Sequence, residues 1–131
     1  MLLIYLACPY SDPSEEVRLQ RVVEADRVAG MLVGHGYAVF SPISYSHRLV
    51  KSVPASFGDG WYEFDLEFLR RSDLVMLLQL PGWEDSRGVA LERREANKWG
   101  ILVVYQAHPV PDETSLATTL ERVMPLCRRY S

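Results

Sequence analysis

Two stretches of this chain, Leu2 to Cys8 and Leu74 to Leu80, are almost continuously apolar, the second broken only by Gln79. A strand with one face in water alternates apolar and polar residues. Runs without alternation belong to strands covered on both faces, as in parallel sheets. Tyr37 to Phe40 and Ile101 to Tyr105 supply two shorter strands. Helical patterns lie between them. Ser14 with Glu15 and Glu16 offers a cap and first-turn acids for a helix with Val22, Ala25, Ala29, Leu32 and Val33 on one stripe. Gly34-His35-Gly36 stops it, with His35 as a C-terminal capping residue rather than a ligand. Trp61 to Arg71 and Ala90 to Trp99 read as helices, and Asp112 caps a last one to about Arg122. Ile43 to Asp59 reads as a long irregular segment, of the kind that forms lids and substrate walls. Strands alternating with helices, joined by right-handed crossovers, predict an α/β fold. The expected form is a three-layer α/β/α sandwich on a parallel four- to five-stranded sheet, flavodoxin- or Rossmann-like, with residues 1–131 as one domain.

Composition narrows the function. Fourteen basic residues against 17 acidic give a net charge of −3, without the concentrated basic face that a nucleic-acid polymer requires. Cys8 and Cys127 have no metal or redox spacing. Cys8 sits in an apolar run as a core residue, and Ser14 stands where a phosphatase loop would need an Arg six residues after the cysteine. The first residues are a strand rather than a signal peptide, and no run is long enough to span a membrane, so a cytoplasmic protein with free thiols is expected. No glycine-rich dinucleotide loop or P-loop occurs. The strand at 74–80 lacks a terminal acceptor Asp, and Ser86 lacks the nucleophile-elbow glycines. His35, His47 and His108 are scattered, so neither a metal nor another cofactor is expected.

What remains is carboxylate chemistry. In open parallel sheets, ligands bind beyond the carboxyl ends of the strands, at the switch in strand order. The segments expected there are Pro9-Tyr10, Pro42 to His47 and Pro81 to Gly88. In the last, a Pro-Gly turn hands over to a helix start with Ser86 and Gly88, whose free amides suit an anion such as phosphate. Glu92 follows about one turn later. Glu95 is a second carboxylate on that helix, and spacing does not choose between them. Asp65 lies among Phe64, Leu66, Phe68 and Leu69, as either a surface acid or one facing the cleft.

Three pieces occur in one order: Ile4-Tyr5-Leu6, then Asp65-Leu66 ahead of Ser72-Asp73-Leu74-Val75, then Ser86-x-Gly88-Val89-x-x-Glu92. Together they resemble the nucleoside 2-deoxyribosyltransferase superfamily, including its nucleoside-monophosphate N-glycosidase branch, over residues 2 to about 106. The resemblance implies cleavage of the bond between C1′ of a (deoxy)ribose and a nucleobase. Glu92 falls on the family's nucleophile, Asp65 on the carboxylate that assists the leaving base, and Tyr5 on the tyrosine that positions the nucleophile. Ser86 falls where transferases on free nucleosides carry an Asp and monophosphate hydrolases a Ser, and so implies a nucleoside 5′-monophosphate, which its hydroxyl and the adjacent Gly88 N–H can bind. The first loop departs from the best-known hydrolases, which have a phosphate loop rich in glycine and arginine. Here Pro9, Tyr10 and Ser11 stand in that place, with Arg18 as a more distant cation. The family implies a homodimer or higher homo-oligomer, Ser115 lying near the position that reaches the neighbour's site. Trp83, His47 and Tyr45 are candidates for the wall of a base pocket or, equally, for loop anchors. The rival readings are a deoxyribosyltransferase on free nucleosides and a non-catalytic nucleotide sensor.

Overall fold

The computed structural model describes residues 1–127. Four strands, β1 (Leu3–Ala7), β2 (Ala38–Phe40), β3 (Leu74–Gln79) and β4 (Leu102–Ala107), form one sheet in the order β2-β1-β3-β4. Every pairing is parallel, with Tyr5 opposite Phe40 on one side and Val75 on the other. The sheet therefore has four strands, the lower of the expected numbers. The continuous apolar runs become β1 and β3, the two central strands. At the edges burial is incomplete: β2 is half-buried throughout, and β4 leaves Tyr105 and Ala107 exposed. Strand β4 also runs two residues past the expected end at Tyr105.

Five helices cover the sheet: α1 (Glu15–Gly34), α2 (Pro42–Leu49), α3 (Trp61–Leu69), α4 (Arg87–Lys98) and α5 (Glu113–Val123). Alternate residues of each strand point to opposite faces. Ile4 and Leu6 of β1, with Leu74, Met76 and Leu78 of β3, pack against Val22, Ala25, Val28 and Leu32 of α1 and against Leu116 and Leu120 of α5. Tyr5, Ala7 and Val75 face the other way, onto Leu66 and Leu69 of α3 and Ala96 of α4. This is the expected three-layer α/β/α sandwich. Cys8 and Cys127 are both buried free thiols. No helix among the described residues is long and apolar enough to cross a membrane.

The caps explain the helix starts. Ser14 Oγ accepts from the Val17 amide at 3.3 Å, and an Asp112 carboxylate oxygen accepts from the Ser115 amide at 2.8 Å. His35 closes α1 through its backbone N–H, and its ring Nε2 lies 3.4 Å from Glu113 at the start of α5. The segment from Ile43 to Asp59 is a correction. It opens with α2 and continues into a single 3₁₀ turn, Ala55–Phe57. Pro42 at the start of α2 is the physical reason, because its fixed φ is preset for a helix's first turn.

The strand order reverses between β1 and β3: β2 lies to one side of β1, and β3 with β4 to the other. Any ligand site is thereby directed to the carboxyl ends of β1 and β3. Met76 is fully buried in β3 against the α1 side. Met76→Ala is expected to lower the unfolding free energy by roughly 2–5 kcal/mol, read as a shift in the urea midpoint at unchanged slope.

Candidate functional site

A cleft of about 1020 Å³ opens at that switch point, between the loop after β1, α2, the first half of α3 and the start of α4. Tyr5, on β1, turns its hydroxyl toward α4 and donates a hydrogen bond to Glu92 Oε2. Both partners are buried. Burial raises the Glu92 carboxyl to about 8, and the nearby Asp65 charge adds to this while the Tyr5 hydrogen bond works against it. Asp65, on α3, has one buried carboxylate oxygen, Oδ1, with no hydrogen-bond partner among the described residues. Burial raises its carboxyl to about 7. The Tyr5 hydroxyl is also held above its usual range, first by burial and then by Glu92.

The other carboxylate on α4 has a different role. Glu95 is buried too, but it accepts from Arg70 Nη2 at 3.1 Å and takes no part in lining the cleft. The geometry thus separates two acids that spacing could not. Cys8 does line the cleft, yet burial pushes its thiol far up, so it stays protonated and is no nucleophile.

The start of α4 forms one wall. Ser86 Oγ caps the helix, accepting from the Val89 amide at 3.2 Å, which leaves its own O–H available as a donor. The next two residues, Arg87 and Gly88, also line the cleft, and amides at these helix positions have no intrahelical acceptor. A Cβ on Gly88 would come no nearer than 3.7 Å to Tyr62 and 3.9 Å to the Ser86 hydroxyl, ordinary contact distances. Protein packing therefore does not demand a glycine there; its effect is to leave space beside the amides. Opposite, the Tyr10 hydroxyl and His47 Nδ1 share a hydrogen bond of 2.8 Å, tying the β1 loop to α2.

The structure brings Glu92, Asp65, Tyr5, Tyr10, His47, Ser86 and Gly88 to this one place. Pro9 is buried in the loop behind Tyr10 and does not line the cleft. Ser115 sits in the first turn of α5, on the sheet face opposite Glu92, and is not part of the cleft of its own chain. Trp83 and Tyr45 are not wall residues. Trp83 packs against Tyr105 and Arg93, and Tyr45 stacks on Phe64 with ring centroids 5.6 Å apart. Trp61 and Tyr62 at the start of α3 supply the aromatic wall instead. Arg18 is engaged with the Asp12 carbonyl and lies outside the cleft.

Arg21 is a residue that sequence reasoning missed. From α1 it donates to the carbonyls of Tyr10 (3.3 Å), Ser11 (3.0 Å) and Pro81 (3.0 Å), fastening the β1 loop to the β3 loop. Its signal lies in the turn it holds. Gly82 has φ 90°, and a Cβ there would sit 2.8 Å from the Arg21 guanidinium. Arg87 and Arg94, which line the cleft from α4, were also passed over. Their i, i+7 spacing on one helix face was the available clue.

Residues 3–108 match the family described as a domain of unknown function, DUF1937. Among solved structures, the 2-deoxyribosyltransferase of the psychrotolerant bacterium Bacillus psychrosaccharolyticus, a biocatalyst for nucleoside synthesis, is similar to this chain. The two are 28% identical, with a TM-score of 0.55, over 84% of this chain and 74% of that one. No curated protein matches. The resemblance to the nucleoside 2-deoxyribosyltransferase superfamily read from Tyr5, Asp65 and Glu92 therefore extends to the fold.

The raised Glu92 carboxyl makes a stability prediction. In the unfolded chain the group ionises near 4.5, whereas in the fold it stays protonated up to about 8. Its contribution favours the fold below the unfolded value and is lost as the pH climbs through the folded one. Glu92→Gln, which never ionises, should therefore melt higher than the parent at pH 8.5, and the gap should close toward pH 4.5. Thermal unfolding across that range is the check; a gap independent of pH would contradict the buried-charge account.

Proposed function

We propose, from the premise that this chain belongs to the DUF1937 family and is built like a 2-deoxyribosyltransferase, that it is an enzyme cleaving the N-glycosidic bond of a nucleoside 5′-monophosphate. The substrate is a (deoxy)ribonucleotide, the acceptor is water, and the products are the free base and (deoxy)ribose 5-phosphate. One observation carries the reading. Two carboxyl groups with raised proton affinity face the same cleft, one gripped by Tyr5 and the other with a buried oxygen that has no partner among the described residues.

The roles follow from that difference. Ionised Glu92 attacks C1′ as the bond to the base breaks, giving a glycosyl ester. Protonated Asp65 gives its proton to the departing base, which leaves poorly as an anion. Asp65, now ionised, takes a proton from the water that attacks C1′, and the ester bond breaks to return Glu92 as a carboxylate. Tyr5 holds the nucleophile in place throughout. The Ser86 hydroxyl and the free amides of the first turn of α4 suit the 5′-phosphate.

A second reading keeps the same residues but passes the deoxyribose from one base to another. The likeness to the Bacillus psychrosaccharolyticus enzyme favours it, as does Asp85, a carboxylate on the wall beside Ser86. Supplying a second free base separates the two. Base exchange on free nucleosides supports the transferase, and base release from monophosphates supports the hydrolase.

Base release from a panel of monophosphates should vanish in Glu92→Ala while the protein still folds. Ser86→Asp should reduce kcat/KM on monophosphates by about tenfold or more, since a charged contact becomes a repulsion. Unchanged turnover in that variant would remove the phosphate argument. The parent's kcat/KM should trace a bell with flanks near pH 7 and 8, the values of the coupled pair. In Asp65→Asn the rate should be lower and the alkaline flank absent, because only Glu92 ionisation is then needed. An intact alkaline flank in Asp65→Asn would assign the acid elsewhere.

A further inference from the structure

Two cations line the cleft without a function in the scheme above. Arg87 and Arg94 both project from α4 into its lining, seven residues and therefore about 10 Å apart along one helix face. Neither guanidinium has a hydrogen bond or ion pair among the described residues. The other arginines placed around the site are occupied: Arg21 on three carbonyls, Arg18 on Asp12, Arg70 on Glu95 and Arg93 on Tyr105. Across the groove stands Tyr62, an exposed aromatic at the start of α3, next to the open space at Gly88. The volume of about 1020 Å³ lies at the upper end of small-molecule sites, which run from roughly 300 to 1,000 Å³. One phosphate held by Ser86 and the Gly88 amide leaves both guanidinium groups unused.

We propose that Arg87 and Arg94 form a subsite for a further phosphate, so that the cleft prefers nucleotides carrying a pyrophosphate over nucleoside monophosphates. The proposal deepens the N-glycosidase reading and rests on its placement of the first phosphate at Ser86 and Gly88. The planar guanidinium fork suits a phosphate oxygen pair, and two long side chains on one face can close on groups anywhere between them. Of the acids on the wall, Asp65 and Glu92 have raised proton affinity. Asp59 and Asp85 are exposed carboxylates at the rim, and they oppose an anion there less than buried ones would, being screened by water. The pyrophosphate comes from either of two sources: a nucleoside di- or triphosphate, or a dinucleotide joined through its phosphates.

The test measures binding and base release for the mono-, di- and triphosphates of each common nucleoside, and for a pyrophosphate-linked dinucleotide. Parent, Arg94→Ala and Arg94→Lys proteins are compared. The parent should bind the diphosphate about tenfold more tightly than the monophosphate of the same base. Arg94→Ala should erase that preference and leave monophosphate binding unchanged, while Arg94→Lys, which keeps the charge but loses the fork, should retain part of it. A dinucleotide that matches the diphosphate identifies an internal pyrophosphate, and one that does not identifies a terminal one; both support the subsite. Equal affinity of the parent for mono- and diphosphates overturns it, as does a preference that survives Arg94→Ala. Failure of the enzymatic reading is distinct: no substrate would release base, yet the Arg94-dependent preference would persist.

Discussion

The contact between the Tyr5 hydroxyl and the Glu92 carboxyl is where the fold and the chemistry meet. A carboxyl removed from water loses solvation that one neutral hydrogen bond does not replace, so its proton affinity rises. The arrangement rests on the place that the sheet gives Tyr5. Its backbone is paired on both sides, with Phe40 of β2 and Val75 of β3. A slip of one residue in β1 would turn Tyr5 to the α1 face and send Ile4 or Leu6 into the place of the hydroxyl. The parallel register of the two central strands is thus what positions the candidate nucleophile.

The two faces of the sheet divide the work. The α1–α5 side is an apolar layer whose strand residues are Ile4, Leu6, Leu74, Met76 and Leu78. The α3–α4 side carries a smaller apolar cluster and, above it, the buried acids. Arg21 joins the two functions. Rooted in α1, it reaches over the carboxyl edge of the sheet to hold the β1 and β3 loops together. Gly82, at φ 90°, leaves the room that guanidinium occupies. Stability on one face therefore supports geometry at the edge that serves the other.

What the sequence revealed depended on whether one interaction or several decided a residue's place. Strands β1 and β3 were legible because burial on both faces leaves only apolar side chains. Edge strand β4 was less so, since Tyr105 and Ala107 face outward and its end is not marked by composition. The α2 helix escaped notice because Ser44, Ser46 and His47 are poor helix residues; the start of the helix at Pro42 and packing of Ile43 into the α1-side core decide it. Glu92 could not be told from Glu95 by period, because both are buried and only their partners differ, Tyr5 for one and Arg70 for the other. An aromatic residue such as Trp83 suits a pocket wall and a loop anchor equally, so its type alone does not place it. The 3₁₀ turn at Trp83–Asp85 instead carries its ring over to Tyr105 and Arg93.

The paired carboxyls also set where a proton rests before and during reaction. On an exposed surface both would be ionised at neutral pH, and no acid would be present to assist a leaving base. Burial of Glu92 and Asp65 keeps one proton on the pair between about pH 7 and 8. Before any substrate binds, that proton favours Glu92, the more deeply buried of the two. The proposed N-glycoside cleavage needs the opposite distribution. As the bond to the base stretches, positive charge develops at C1′ against Glu92 and stabilises its ionised form. The Tyr5 hydroxyl assists by donating to that anion, while Asp65, with no donor on its buried oxygen among the described residues, is the better place for the proton. On that proposal the substrate itself completes the acid–base assignment that the protein leaves poised.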